Sequence, residues 1–232
     1  MTEKFQRIIE NEATQRIGLY SRVINFLEDI LEDAECEEVY VDIVSVNEDY
    51  IIVKGMNCSY PVEESIEIFQ DKYDLYAEPG NASTPLASLY REVVSTYRNT
   101  LHYDMKQFAA RSMSTGIEYY LGILFNGRAF IIEGEEDRVI MPGIRTQCFS
   151  AHTHPSNLPL PSRQDIHTII ELFINRGIGH VIETVSTGLA IYRISPIDID
   201  DLEKLKTIET IKDPVRSLKE LSSVKSLVIE YI

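Results

Sequence analysis

TGIEYYLGILFNGRAFII, residues 115–132, is where the chain changes its grammar. Tyr119, Leu121, Ile123 and Phe125 recur at every second position and fill one face of a strand. Asn126-Gly127 supplies a hairpin turn, and Arg128–Ile132 forms the return strand. Moving towards the C-terminus, a strand at about 147–152 runs into a proline-rich loop. Ser162 then caps a helix reaching about Asn175 and ended by Gly177. Strands over His180–Val185 and Leu189–Ile194 follow, joined by the short turn Ser186-Thr187-Gly188. Helices near 199–210 and 214–223 complete the series, the second opened by Asp213-Pro214. Strands mixed with helices in this way predict an α/β (α+β) chain.

Moving towards the N-terminus, the signals are those of a separate α+β module. Residues 4–34 predict a helix with Ala13, Ile17, Tyr20, Ile24, Leu27 and Leu31 at steps of four and three, a stripe suited to core packing. Val39, Val41 and Ile43 alternate with polar neighbours and meet Tyr50–Val53 across the turn Asn47-Glu48-Asp49, a β-hairpin. Pro61 opens a second helix through Val62, Ile66 and Phe69. Thr84-Pro85 opens a long third one through Leu86, Leu89, Val93, Tyr97, Leu101, Met105 and Phe108. This division gives an accessory domain over 1–107 and a second domain over 108–232.

The 232 residues carry a net charge of -15. Residues 1–80 hold 19 Asp and Glu against 6 Lys and Arg, or -13 of that total. Phosphate backbones are bound by clustered cations, so nucleic acid is excluded as a partner. No apolar run reaches the ~18 residues of a membrane span, and the polar N-terminal stretch is not a secretory signal. Cys36, Cys58 and Cys148 are few, odd in number and scattered. That pattern predicts unpaired thiols, a reducing interior and a cytoplasmic address. Homodimerisation through the amphipathic first helix is open.

The chemistry lies in HTHPSNLPLPSRQD, residues 152–165. His152 and His154, two apart on an extended segment, project to one side and can share an ion. Pro155, Pro159 and Pro161 stiffen the loop that follows. Asp165, in the first turn of the next helix, is favoured as a carboxylate by the helix dipole, and Ser162 lies on the same face. Two His and one Asp leave a fourth position for water, the mark of a catalytic rather than a structural zinc. Zinc lowers the pKa of its water from ~15.7 to about 7. Hydrolysis also needs a base, and Glu118, which opens the strand before the Asn126-Gly127 hairpin, is placed for it ahead of Glu133, Glu135 and Glu136. Cys148 suits a small buried hydrophobe. His167 faces elsewhere on its helix, and His102 and His180 show no partner pattern.

The string H-x-H-P-x6-S-x-x-D resembles the motif of the JAMM (MPN+) zinc metalloproteases, and Glu118-Tyr-Tyr-Leu-Gly-Ile-Leu-Phe resembles that family's glutamate strand. The resemblance covers about residues 108–195. It implies a cytidine-deaminase-like core with a mixed sheet flanked by helices. It also implies one Zn2+ per chain on His152, His154 and Asp165, with Glu118 as acid/base and Ser162 stabilising the oxyanion. The activity it implies is hydrolysis of isopeptide bonds to ubiquitin or a ubiquitin-like modifier, with such conjugates as partners. His-Pro-Ser-Asn is also similar to the RadC branch of that superfamily, which implies a metal-binding protein without proteolysis. A catalytically silent MPN scaffold is the other alternative.

Overall fold

Two mixed sheets share one central helix. A computed structural model describes residues 5–136 and 146–232. Seven helices and eleven strands occur among them. The larger sheet contains seven strands: β1 (Phe5–Ile9), β6 (Ile117–Leu124), β7 (Ala129–Glu136), β8 (Gln147–Thr153), β9 (Gly179–Glu183), β10 (Gly188–Arg193) and β11 (Leu227–Tyr231). Their spatial order is β1-β7-β6-β8-β9-β10-β11, and only β8 and β9 run parallel. The smaller sheet has the order β4-β3-β2-β5, with β2 (Glu38–Ser45), β3 (Tyr50–Met56), β4 (Tyr76–Pro79) and β5 (Thr84–Pro85). The α+β class and the mixed sheet are as the sequence predicts. No helix of the described residues is long and apolar enough to cross a membrane.

Helix α1 (Glu12–Asp33) starts where Asn11 accepts from the Thr14 amide and the Thr14 hydroxyl closes a capping box. The sequence predicts helix from residue 4, but residues 5–9 extend the large sheet at β7 instead. Their alternation is too short to announce a strand. The burial of α1 also exceeds the predicted stripe. Leu19, Val23, Phe26 and Ile30 are buried as fully as Ile17, Ile24 and Leu27, because α1 contacts strands of both sheets as well as α2 (Val62–Tyr73) and α3 (Leu86–Thr100). Most of its apolar surface is thus used within the chain, with Ala13, Tyr20 and Leu31 half-buried.

The predicted third helix is split at Leu101 into α3 and α4 (His102–Thr115). The 107/108 division falls inside α4, and one core joins Ile24, Val41, Val93 and Tyr97 to Leu121, Phe149 and Val181. That core fills one side of the large sheet. The other side is covered by α5 (Arg163–Ile174), α6 (Ile199–Glu209) and α7 (Pro214–Leu221), where Ile166, Ile169 and Phe173 pack with Ile182, Leu189 and Ile191. Alternation along the strands assigns residues to the two sides.

Two local readings need correction. At the Asn126-Gly127 hairpin only Gly127 has a positive φ, 79°, and its amide bonds Leu124. The turn is therefore longer than a two-residue type I′ turn, which needs two positive φ values. A Cβ on Gly127 would meet Gln15 Cα at 2.7 Å, and one on Gly18 would meet the Gly127 amide at 2.6 Å, so the pair lets α1 touch the hairpin. Cys36 and Cys58 form a disulfide rather than staying unpaired. The β2–β3 register pairs Glu38 with Met56, and continuing it two residues outward sets Cys36 opposite Cys58. Only Cys148 is a free thiol among the described residues.

Candidate metal centre

Strand β8 carries His152, and His154 follows its last residue; Asp165 is the third residue of α5. The Ser162–Asp165 capping box fixes the acid: Ser162 Oγ accepts from the Asp165 amide at 3.2 Å, and Asp165 Oδ2 accepts from the Ser162 amide at 2.7 Å. The intervening loop is held as well. The His154 amide donates to Glu183 O at 2.8 Å, and Ser186 Oγ donates to Asn157 O at 2.6 Å.

These constraints bring the three side chains together as predicted. His152 Nε2 lies 2.8 Å from His154 Nε2 and 3.1 Å from Asp165 Oδ1, and His154 Nε2 lies 3.2 Å from Asp165 Oδ2. The three form a group able to hold a metal ion. Ligands about 2.0–2.1 Å from a tetrahedral ion stand about 3.3 Å apart, close to the two longer separations. The His152 side chain is 7% exposed, whereas those of His154 and Asp165 are each 14% exposed, so solvent reaches the centre on the latter side.

The electrostatics favour positive charge there. Burial alone would raise the Asp165 pKa, yet the two imidazoles hold it far below the usual carboxylate range. Burial would likewise lower His152, but Asp165, with smaller contributions from Glu118 and Glu183, pushes it up. A carboxylate and two ring nitrogens this close repel unless a proton or a metal ion lies between them.

Glu118 precedes Tyr120 by two, and Tyr120 pairs with His152 across β6 and β8. Strand alternation therefore puts Glu118 on the same side of the sheet as the centre. The segment is secured where the Tyr119 amide donates to Thr153 Oγ1 at 2.9 Å, and that hydroxyl also bonds Ser112. Glu133 pairs with Tyr119, whose side chain enters the opposite core, so Glu133 faces away from the centre. The side chains of Glu135 and Glu136 lie outside the described residues. Ser162 is exposed at the N-cap; its acceptor role there leaves the hydroxyl hydrogen available to donate.

The remaining candidates separate clearly. Cys148 is fully buried in the core behind the sheet, and burial pushes its thiol up to about 12. His167 bonds Glu209 at 3.0 Å on the outer helices. His102 Nδ1 lies 2.7 Å from Glu183 Oε1, which also accepts from the Tyr97 hydroxyl at 2.8 Å. The sequence shows no partner pattern for His180, yet its Nε2 lies 2.8 Å from His152 Nδ1 and its Nδ1 2.6 Å from Ser150 Oγ. The signal is the alternation Ser150, His152 and His180, readable only once β8 is known to pair with β9. A cleft of about 980 Å³ between α6 and α7 has a mixed-charge lining and contains none of these residues.

Family models, curated proteins and solved structures were each compared with the chain, and none matches it.

Proposed function

We propose that this chain is a zinc-dependent hydrolase of isopeptide or peptide bonds, acting on conjugates of ubiquitin or a ubiquitin-like modifier. One observation carries the reading. His152, His154 and Asp165 converge within 3.2 Å contacts beside solvent, with Glu118 on the same side of the sheet. Two nitrogens and one carboxylate suit zinc with an open fourth position. The likeness of residues 152–165 to the JAMM motif supplies the substrate class.

Zinc bound there would supply Lewis acidity towards a water and the scissile carbonyl. The chain's own residues do the rest. His152, His154 and Asp165 would hold the ion. The Glu118 carboxylate takes a proton from the attacking water and delivers it to the departing lysine Nζ. The Ser162 hydroxyl donates to the oxygen on which negative charge develops.

The test is elemental analysis combined with cleavage of ubiquitin-like conjugates, with and without chelator. About one zinc per chain and chelator-sensitive release of the modifier are expected. Far less than one metal per chain would remove the enzyme reading in favour of a scaffold. Full metal content without cleavage would favour a non-proteolytic, RadC-like role.

A further inference from the structure

Below His152, on the side away from solvent, four buried polar side chains form a line. His180 is 1% exposed, Ser150 0%, Tyr120 3% and Gln147 5%. They belong to β6, β8 and β9, and the line exists because Ser150 pairs with His180 across the parallel β8–β9 ladder and Tyr120 with His152 across β6–β8. Its contacts run from His152 Nδ1 to His180 Nε2 at 2.8 Å and from His180 Nδ1 to Ser150 Oγ at 2.6 Å. Beside them the Tyr120 hydroxyl donates to Gln147 Oε1 at 2.5 Å.

His152 Nε2 is the ring nitrogen turned towards His154 and Asp165. For Nε2 to bind an ion, a neutral His152 carries its hydrogen on Nδ1, and the His180 Nε2 beside it must then accept. A neutral His180 with a bare Nε2 carries its own hydrogen on Nδ1, which donates to Ser150 Oγ.

We propose that His180 is a positioning residue for the metal centre: oriented by Ser150, it accepts from His152 Nδ1 and thereby fixes the ring of His152 with Nε2 presented as a ligand. Ligand imidazoles are commonly oriented through their far nitrogen, and loss of that partner weakens metal binding about 10–100-fold. Here the partner is another imidazole, and an imidazole serves only in one tautomer, so the Ser150 hydroxyl behind it is part of the device. The inference rests on His152 being a metal ligand, but its central element, the tautomer of His180, is measurable without any metal.

The experiment has two arms. In the metal-free wild-type protein, nitrogen-15 NMR of the imidazoles should find the His180 hydrogen on Nδ1; hydrogen on Nε2 overturns the proposal. In the second arm, zinc affinity is measured by competition with a chromophoric chelator. His180→Leu should bind zinc about 10–100-fold more weakly. His180→Gln, whose amide oxygen can accept from His152 and whose NH2 can donate to Ser150, should recover most of that loss. Wild-type affinity in a folded His180→Leu protein overturns the proposal, as does equal weakening in both variants. Should the wild type bind no zinc while His180 carries its hydrogen on Nδ1, the metal reading fails and the orienting line stands as a structural one. Should His180→Leu not fold, the tautomer measurement and His180→Gln still decide.

Discussion

Two buried carboxylates, Glu28 on α1 and Asp165 on α5, are surrounded in opposite ways. Glu28 is 6% exposed and accepts from Arg193 at 2.9 Å, from Arg176 at 3.2 Å and from the Tyr90 hydroxyl. Arg193 spends its other donors on Gly177 O, Ser195 O, Asn25 Oδ1 and Arg176 O. Guanidinium charge is permanent, so this knot is complete as folded. Asp165 accepts from the Ser162 amide, but the only charge-bearing side chains that bond it are imidazoles, whose charge is conditional. One cluster is complete with the charges of the fold, and the other is a group that could hold a metal ion.

That contrast can be broken or sharpened by experiment. Glu118→Ala should lower conjugate cleavage about 10²–10⁴-fold, the usual share of a general base, while metal content by elemental analysis stays unchanged. Full activity would remove the assigned base. Arg193→Met leaves Glu28 only the part-exposed Arg176 and the Tyr90 hydroxyl and should cost about 3 kcal/mol in chemical denaturation, again with metal content intact. A loss under 1 kcal/mol would mean the knot is not the fixed pair described.

Zinc at a hundredfold excess over its Kd should stabilise the wild type by about 2.7 kcal/mol. Arg193→Met should gain the same increment, and Asp165→Ala none. A third buried acid sets the lower end of the scale. Asp201 accepts from the Ser226 amide at 3.0 Å and the Lys225 amide at 3.4 Å, tying α6 to the start of β11. Burial opposes its ionisation, but bonds from Ser226 and Lys225 and the nearby Lys204 hold its pKa below the usual value. A depressed folded pKa contributes stability above the unfolded value of about 3.9. The contribution disappears as pH falls through the folded value. Asp201→Ala should therefore cost about 1–3 kcal/mol at neutral pH, and the cost should shrink in strong acid. A pH-independent difference would contradict this.

The centre was legible in sequence to the extent that it is local. His152 and His154 follow from strand alternation, and Asp165 follows from a helix cap three residues long. Their meeting is settled within fourteen residues. What the sequence hid depends on pairing between distant strands. His180 reaches His152 only through the β8–β9 ladder, across the whole of α5. The Cys36–Cys58 bond needed the hairpin register carried past its ends. β1 and β11 are five-residue edge strands, and α1 reads as amphipathic although partners surround it. The boundary at 107 marked a change of pattern, while the core runs across it.

The Glu28–Arg193 bond closes a loop of 165 residues. A ribosome adding about 5–20 residues per second needs roughly 8–33 s to traverse that interval. For that time the acid on the first helix has no guanidinium from the tenth strand, and the apolar side chains around it wait in water. Burying them early would strand a charge, so newly made chains should stay open to chaperones until β10 emerges.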